Sequence, residues 1–185
     1  MKDIDSLDCL CLPSSLYNKI EKDISNLYIQ LNIGKYPINP MDIATALGYE
    51  LITFSKMNSE AKKMLISKDV DGISYYNPVK EKYVIYYRPN AKKERLRFTI
   101  AHEIGHIRMG HKCESELARR VANYYAAYIL APTPWIAHAD CDDYTDVVNK
   151  FFVSEQCAII CFNRYENWRN YSFIKSYEKA LMALL

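Results

Sequence analysis

The clearest hydrophobic pattern in this chain runs through residues 91–109, a segment without proline in which apolar residues recur at helical spacing. Its regularly spaced apolar positions are Leu96, Ile100, Ile104 and Ile107. Asn90 directly precedes the segment and is a good N-cap, and Gly110 follows it as a C-terminal stop. The pattern therefore predicts one long amphipathic helix here.

Helical and alternating patterns predict the remaining elements. Further helices are expected at 16–31, 40–47, 59–66, 115–130 and 155–168 and at the C-terminus, and strands at 49–54, 72–76 and 83–87. The expected N-caps are Ser14 or Ser15, Asn39, Asn90, Ser154 and Ser172. Residues 77–82 join the last two strands as a hairpin loop. This order predicts an α+β fold, with a small twisted sheet packed against helix 91–109 and a helical C-terminal part.

An HExxH motif lies inside helix 91–109, formed by His102, Glu103 and His106. Histidines four residues apart lie one turn apart on the same helix face, so both imidazoles can reach one metal ion. Zinc suits such ligands, and a catalytic zinc takes three protein ligands and a water molecule. A glutamate beside the first histidine can accept a proton from that water. The motif predicts a metal-dependent hydrolase with His102 and His106 as metal ligands and Glu103 as catalytic base.

Chance is the competing interpretation of this motif. Average residue usage gives an HExxH pattern in roughly one chain of this length in a few hundred. Two histidines on one helix also form hydrogen-bonded pairs without a metal. Gly105, inside the motif, costs about 1 kcal/mol against alanine in a helix interior. We therefore expect another part of the chain to pack closely against the backbone there. His111 does not fit the third-ligand position of the longer metzincin motif.

Several segments resemble the ImmA/IrrE metallopeptidases. Residues 97–106 (RFTIAHEIGH) resemble the signature of that family, and residues 122–132 (ANYYAAYILAP) resemble its second motif. Segments 38–48, 152–158 and 164–168 also resemble family motifs, so the resemblance extends from about residue 36 to residue 168. It implies a zincin-like, zinc-dependent endopeptidase of bacteria, phages or integrative elements. The substrate that it implies is a helix-turn-helix repressor.

The chain departs from the pattern of the family that it resembles at the third metal ligand. The resemblance implies an acidic ligand at position 119 or 121, where this chain has Arg119 and Val121. Arginine repels a cation and valine has no lone pair to donate. Three alternatives stay open: Glu114 or Glu116 replaces the ligand, a carboxylate comes from elsewhere or from the partner protein, or the chain is a degenerate member. Such a member would bind a repressor or antitoxin without cutting it.

Other residues are candidates for supporting roles at such a site. Donors to the tetrahedral oxyanion are expected among Tyr76, His111, Tyr124 and Tyr125. Asn123 is expected to orient a histidine ligand through a hydrogen bond. An edge strand, at 73–76 or at 84–87, is expected to pair with the extended substrate backbone.

Length and composition limit the domain organisation, the partners and the location that can be expected. The chain has 185 residues, which fits a peptidase domain at 1–136 with a helical appendage at 137–185 packing on it. Half of the residues are hydrophobic and the net charge is +2, so no strongly anionic partner such as nucleic acid is expected. The N-terminus lacks the apolar core of a signal peptide, and no apolar run is long enough to span a bilayer. A cytoplasmic location is therefore expected, and the oligomeric state is open.

Two local features are expected to have structural rather than functional roles. The basic residues Lys92, Lys93, Arg95 and Arg97 are expected to be the solvated start of helix 91–109. Cys157 and Cys161, one turn apart, are expected to fill the core rather than bind metal. The C-terminal helices resemble a helix-turn-helix but carry few exposed basic residues, so we expect them to pack on the peptidase part or to dock the substrate protein.

Overall fold

The computed structural model describes residues 12–113, 115–171 and 173–185. The helices are α1 (Ser14–Gln30), α2 (Pro40–Ala46), α3 (Ser59–Ser67), α4 (Lys93–Arg108), α5 (Glu116–Leu130), α6 (Thr133–His138), α7 (Tyr144–Phe151), α8 (Glu155–Tyr171) and α9 (Ser176–Met182). The strands are β1 (Glu50–Thr53), β2 (Gly72–Asn77) and β3 (Lys82–Tyr87). The α+β class and the predicted elements are confirmed.

Several helix boundaries follow the predicted caps and others do not. The side chain of Asn39 caps α2, accepting a hydrogen bond from the backbone N–H of Met41 at 3.2 Å. The Ser154 hydroxyl caps α8 in the same way. The predicted caps of α1 and α4 are wrong, because Pro13 and Lys92 occupy those positions. Ser172 lies outside the described residues, and α9 begins four residues later.

The three strands form one mixed sheet in the order β1-β3-β2. β3 is central, pairing in parallel with β1 and in antiparallel with β2, so the predicted hairpin is confirmed. β2 is therefore an edge strand. The alternative edge at 84–87 is wrong, because that segment belongs to β3 and has a neighbour on each side.

The sheet packs against α4, which carries the HExxH motif. The contact is closest at Gly72, the first residue of β2. A Cβ atom there would lie 2.5 Å from Cγ2 of Thr99 and 3.3 Å from Cγ of Glu103. Because any side chain would collide with α4, glycine allows β2 to lie directly beside the motif.

On its other side α4 packs against α5, again through a glycine. A Cβ atom on Gly105 would lie 2.9 Å from Cβ of Tyr125. The expected close packing against Gly105 is therefore present, and its partner is a fully buried aromatic residue. The helix ends at Gly110, whose φ of 72° is the left-handed conformation that glycine adopts readily.

The C-terminal helices share the apolar core of the rest of the chain. Trp135 of α6 is fully buried, and its indole N–H donates to the carbonyl of Leu181 in α9 at 2.9 Å. Cys157 and Cys161 of α8 are also buried, as expected for core filling. The predicted boundary at 136/137 falls inside α6. None of the described helices is long and apolar enough to cross a membrane.

Arg97 differs from its predicted role as a solvated cation. Its guanidinium donates to the carbonyl of Phe152 at 2.6 Å and to that of Ile38 at 2.7 Å. Phe152 ends α7 in a left-handed conformation, with φ of 54°. Because three separate segments meet at this one guanidinium, Arg97 ties α4 to the C-terminal helices.

The contact at Gly105 predicts the sign of a stability change. Helix propensity alone favours Gly105→Ala by about 1 kcal/mol. The collision with Tyr125 opposes it, and overpacking typically costs about 1–3 kcal/mol. We expect Gly105→Ala to lower the free energy of unfolding, as measured in urea. Lys93→Ala, at the exposed start of α4, is the control, and a Gly105→Ala protein more stable than the natural chain would contradict the packing argument.

Candidate metal centre

The two motif histidines converge on one point beside α4. The Nε2 atoms of His102 and His106 lie 3.0 Å apart, and their ring planes meet at 66°. Two imidazole nitrogens bound to one tetrahedral zinc ion would lie about 3.3 Å apart, since each Zn–N bond is about 2.0–2.1 Å. The observed separation is slightly shorter than this and is also that of a direct hydrogen bond between the two rings, so both nitrogens are directed at one shared point.

Both histidines favour the neutral form that binds metals. Burial is the main cause that lowers the pKa of His102 to about 3, and the charges of His106 and Arg119 lower it further. Burial also lowers the pKa of His106. A neutral imidazole has a free lone pair, so no proton has to leave before a cation binds.

Each of these histidines is oriented by a second residue. The Asn123 side chain shares a hydrogen bond with His102, the kind of contact that the sequence predicted for it. Nδ1 of His111 lies 3.1 Å from Nδ1 of His106, on the opposite side of the ring from Nε2. Such contacts fix the ring and leave Nε2 directed at the metal position.

The position of His111 follows from the end of α4. The backbone N–H of His111 donates to the carbonyl of His106 at 3.0 Å, and that of Gly110 donates to the carbonyl of Ile107. These two bonds form a Schellman motif, which folds the chain back over the last helical turn. Gly110 was recognised as a stop from the sequence, and the same signal places the next residue over His106.

Glu103 lies on the sheet side of the pair and is buried. The hydroxyl of Ser74, in β2, donates to Oε2 of Glu103 at 2.7 Å. Sequence analysis did not identify Ser74, because its contact depends on the register of β2 against α4. The carboxylate is thus oriented by the edge strand and lies beside the histidine pair.

Among the described residues, His102 and His106 are the candidate metal ligands at this point, and no third candidate lies with them. Val121 is buried in the core, and Arg119 is exposed but lines the cleft next to His102. Glu116 is exposed on the first turn of α5 and does not line the cleft, and Glu114 lies outside the described residues. Within 12–113, 115–171 and 173–185, no three His, Cys, Asp or Glu side chains are grouped to hold a metal ion.

Only some of the expected oxyanion donors lie at the cleft. Tyr125 is fully buried and donates to Oδ2 of Asp23 at 2.9 Å, so its assignment to the site is wrong. Tyr76 is half-exposed on β2, packs against another tyrosine ring and does not line the cleft. Tyr124 and His111 do line it, although Tyr124 donates to Glu21.

The histidine pair and Glu103 open into a large cleft. Its volume is about 1250 Å³, which is ample for an extended peptide segment. The start of β2 and α4 form one part of its wall, and α5 and α8 form another. A substrate lying in this cleft would reach both the motif and the C-terminal helices.

Comparison with known proteins finds one family. A family model of peptidases, described as "IrrE N-terminal-like domain", matches residues 52–160, more than half of the chain. The matched segment begins in β1, contains β2, α4 and α5, and ends within α8. No curated protein matches the chain.

The low pKa of His102 predicts how the metal-free protein responds to acid. The unfolded chain protonates this histidine near pH 6.5, whereas the folded chain does so near pH 3. Stability is therefore lost as the pH falls below the unfolded value, by about 2 kcal/mol at about pH 5. We expect His102→Gln to lose less stability than the natural chain between about pH 7 and about pH 5, as measured by urea unfolding with a chelator present.

The control for this prediction is His138→Gln, which removes an exposed imidazole from the end of α6. Parallel pH dependence in His102→Gln and the natural chain would show that burial of His102 does not limit stability in acid.

Proposed function

Because the chain belongs to the IrrE N-terminal-like peptidase family, we propose that it is a metallo-endopeptidase that cleaves a regulatory protein. The observation that carries the proposal is the convergence of His102 and His106 beside Glu103 on the wall of a long cleft. A buried pair of neutral imidazoles with an adjacent carboxylate is the arrangement that metal-assisted hydrolysis needs.

In this proposal His102 and His106 hold the metal ion through their Nε2 atoms. The convergence of their Nε2 atoms and the lowering of the pKa of both histidines by burial support zinc or a similar divalent cation. When bound, such an ion polarises a carbonyl and acidifies water. Asn123 and His111 keep the two rings in place. The fit is incomplete by one ligand among the described residues.

Glu103 acts as the base, accepting a proton from water and passing it to the departing amine. Its buried position beside the histidines keeps the carboxylate close to the point where their Nε2 atoms converge. The hydrogen bond from Ser74 fixes one carboxylate oxygen, so the side chain needs little reorganisation before the proton moves.

The free edge of β2 supports an extended polypeptide as the substrate. Arg88 donates its backbone N–H to the carbonyl of Asp71, which sets the alternation of bonds between β2 and β3. Gly72, Ser74 and Tyr76 therefore direct their backbone groups away from β3. A substrate strand pairing with them would lie beside Glu103, since Ser74 contacts that residue directly. A helix-turn-helix repressor is the substrate that we propose, following the family resemblance.

A second candidate function is binding without cleavage. Arg119 and Val121 occupy the positions where the family resemblance implies an acidic ligand, and no described carboxylate replaces them. A chain of this kind would retain the cleft and the edge strand, and would capture a repressor or antitoxin without hydrolysing it. Bound metal and cleavage distinguish the two candidates.

The first prediction of this proposal concerns zinc. We expect Arg119→Glu to bind zinc more tightly and closer to one ion per chain than the natural protein, because it replaces a repelling cation with a ligand. Val121→Glu is the second variant, and Arg120→Glu is the control for an added carboxylate on the same helix. Zinc is measured by elemental analysis after dialysis. One tight zinc in the natural chain, lost on Glu114→Ala or Glu116→Ala, would instead assign the third ligand to the start of α5.

The second prediction concerns cleavage. The chain is mixed with purified helix-turn-helix repressors, and fragments are identified by mass spectrometry. Glu103→Gln should abolish cleavage while retaining zinc, since the amide cannot accept the proton but both histidines remain. Ser74→Ala should reduce kcat by about tenfold or more, because the base loses its orienting contact. Cleavage that survives in Glu103→Gln at the natural rate would rule out this role.

A further inference from the structure

The cleft continues from the histidine pair towards α8, and its wall has an excess of positive charge. Among the described residues that line it, seven are lysine or arginine and four are acidic. The chain as a whole has a net charge of only +2. The cationic character is therefore concentrated in the cleft rather than spread over the surface.

The acidic residues of this wall already have partners. Glu21 accepts hydrogen bonds from Tyr124, Tyr177 and Lys175. Asp71 pairs with Arg95 at 2.5 Å, and Glu103 accepts from Ser74. Asp69, the fourth acidic residue, pairs with Arg88 at 3.5 Å, and the charge of Glu21 also acts on Arg164 without forming an ion pair with it.

Three arginines of the wall have no such counterpart. In the part of the chain that the structure describes, no carboxylate lies within ion-pair distance of Arg119, Arg120 or Arg164. Nη1 of Arg164 and Nε of Arg120 are buried without a hydrogen-bond partner among the same residues. Both side chains are half-buried and line the cleft, so it is their accessible N–H groups that a carboxylate in the cleft can contact.

Arg120, Arg164 and Tyr124 line the same cleft. The guanidinium carbon of Arg164, in α8, lies 4.2 Å from the centroid of the Tyr124 ring. Arg120 precedes Tyr124 by one turn of α5, so the two residues share one face of that helix. Stacking on the aromatic face holds a guanidinium in place without occupying its N–H donors. Asn163 and Asn167 flank Arg164 on the wall and add amide donors.

We propose that Arg120 and Arg164 form a carboxylate-binding subsite that receives an acidic side chain of the polypeptide substrate. This inference rests on the proposed function, because it takes the cleft as the path of the substrate. Planar guanidinium groups bind carboxylates with paired hydrogen bonds, which gives both affinity and orientation. The subsite lies where α8 meets α5, so it would select an acidic residue on the side of the scissile bond that faces the C-terminal helices.

The test is a binding experiment that does not require hydrolysis. Full-length protein carrying Glu103→Gln is immobilised and exposed to a synthetic library of random peptides, and the retained peptides are sequenced by mass spectrometry. A retained peptide is then made in two forms, with its glutamate or with glutamine in that place. We expect retained peptides to be enriched in Asp and Glu, and the glutamine form to bind at least about tenfold more weakly.

Variants assign the effect to the subsite. Arg164→Met and Arg120→Gln should each remove most of the difference between the two peptides, and Arg164→Lys should restore part of it. Arg169→Met is the matched control, because Arg169 lies on the same helix, stacks on Tyr165 and does not line the cleft. It should leave the difference unchanged. Thermal unfolding shows whether each variant is folded. Where Arg164→Met does not fold, Arg120→Gln decides the matter.

Each outcome has a definite meaning. Equal binding of the two peptides, a difference that persists in both folded variants, or a library from which nothing is retained would overturn the subsite. Displacement of the peptide by short RNA, with RNA binding lost in Arg164→Met, would also overturn it by assigning the cations to nucleic acid. Glutamate-dependent binding without cleavage by the natural chain contradicts the peptidase proposal alone. Cleavage without any preference for acidic residues contradicts the subsite alone.

Discussion

The close approach of α4 to its two neighbours is the constraint on which the candidate site depends. Gly72 lets β2 come within contact of α4, and Gly105 lets α5 do the same on the opposite side. The first contact brings Ser74 to Glu103, and the second brings α5, with Asn123, to His102. A larger residue at either glycine would separate an orienting side chain from the group that it orients. The motif residues alone therefore do not make the site, since their positions are set by the elements packed around them.

Sequence reasoning succeeded where the deciding interaction is local. The helical period and the HExxH spacing predicted α4 and the convergence of its histidines, because both follow from one turn of helix. The cost of a glycine inside a helix correctly indicated a close contact at Gly105.

Contacts between segments that are distant in sequence were harder to predict. The order β1-β3-β2 depends on a parallel pairing across α3, and nothing in the alternation of β2 or β3 shows which of them is central. The roles of Ser74 and Tyr125 depend on register and helix rotation in the same way.

The sequence did not show which arginines have partners within the protein, and the structure explains why. Arg97 looks like one of several solvated cations, yet it binds the carbonyls of Ile38 and Phe152. Arg108 likewise pairs with Asp23, which also accepts a hydrogen bond from Tyr125, so α1, α4 and α5 meet at one carboxylate. In both cases a long side chain links segments that are distant in sequence. Composition reports the number of such cations but not which of them have partners.

Arg119, Arg120 and Arg164, which have no carboxylate within ion-pair distance among the described residues, give the cleft its positive character. Arg119 lowers the pKa of His102 and repels a cation, at a position where the family resemblance implies a carboxylate. The same positive charge attracts carboxylates, as do Arg120 and Arg164 further along the wall. Under the proposed function, the missing acidic ligand and the cations of the wall would act in the same direction. Both would weaken metal binding by the protein alone, and the cations would favour an acidic polypeptide.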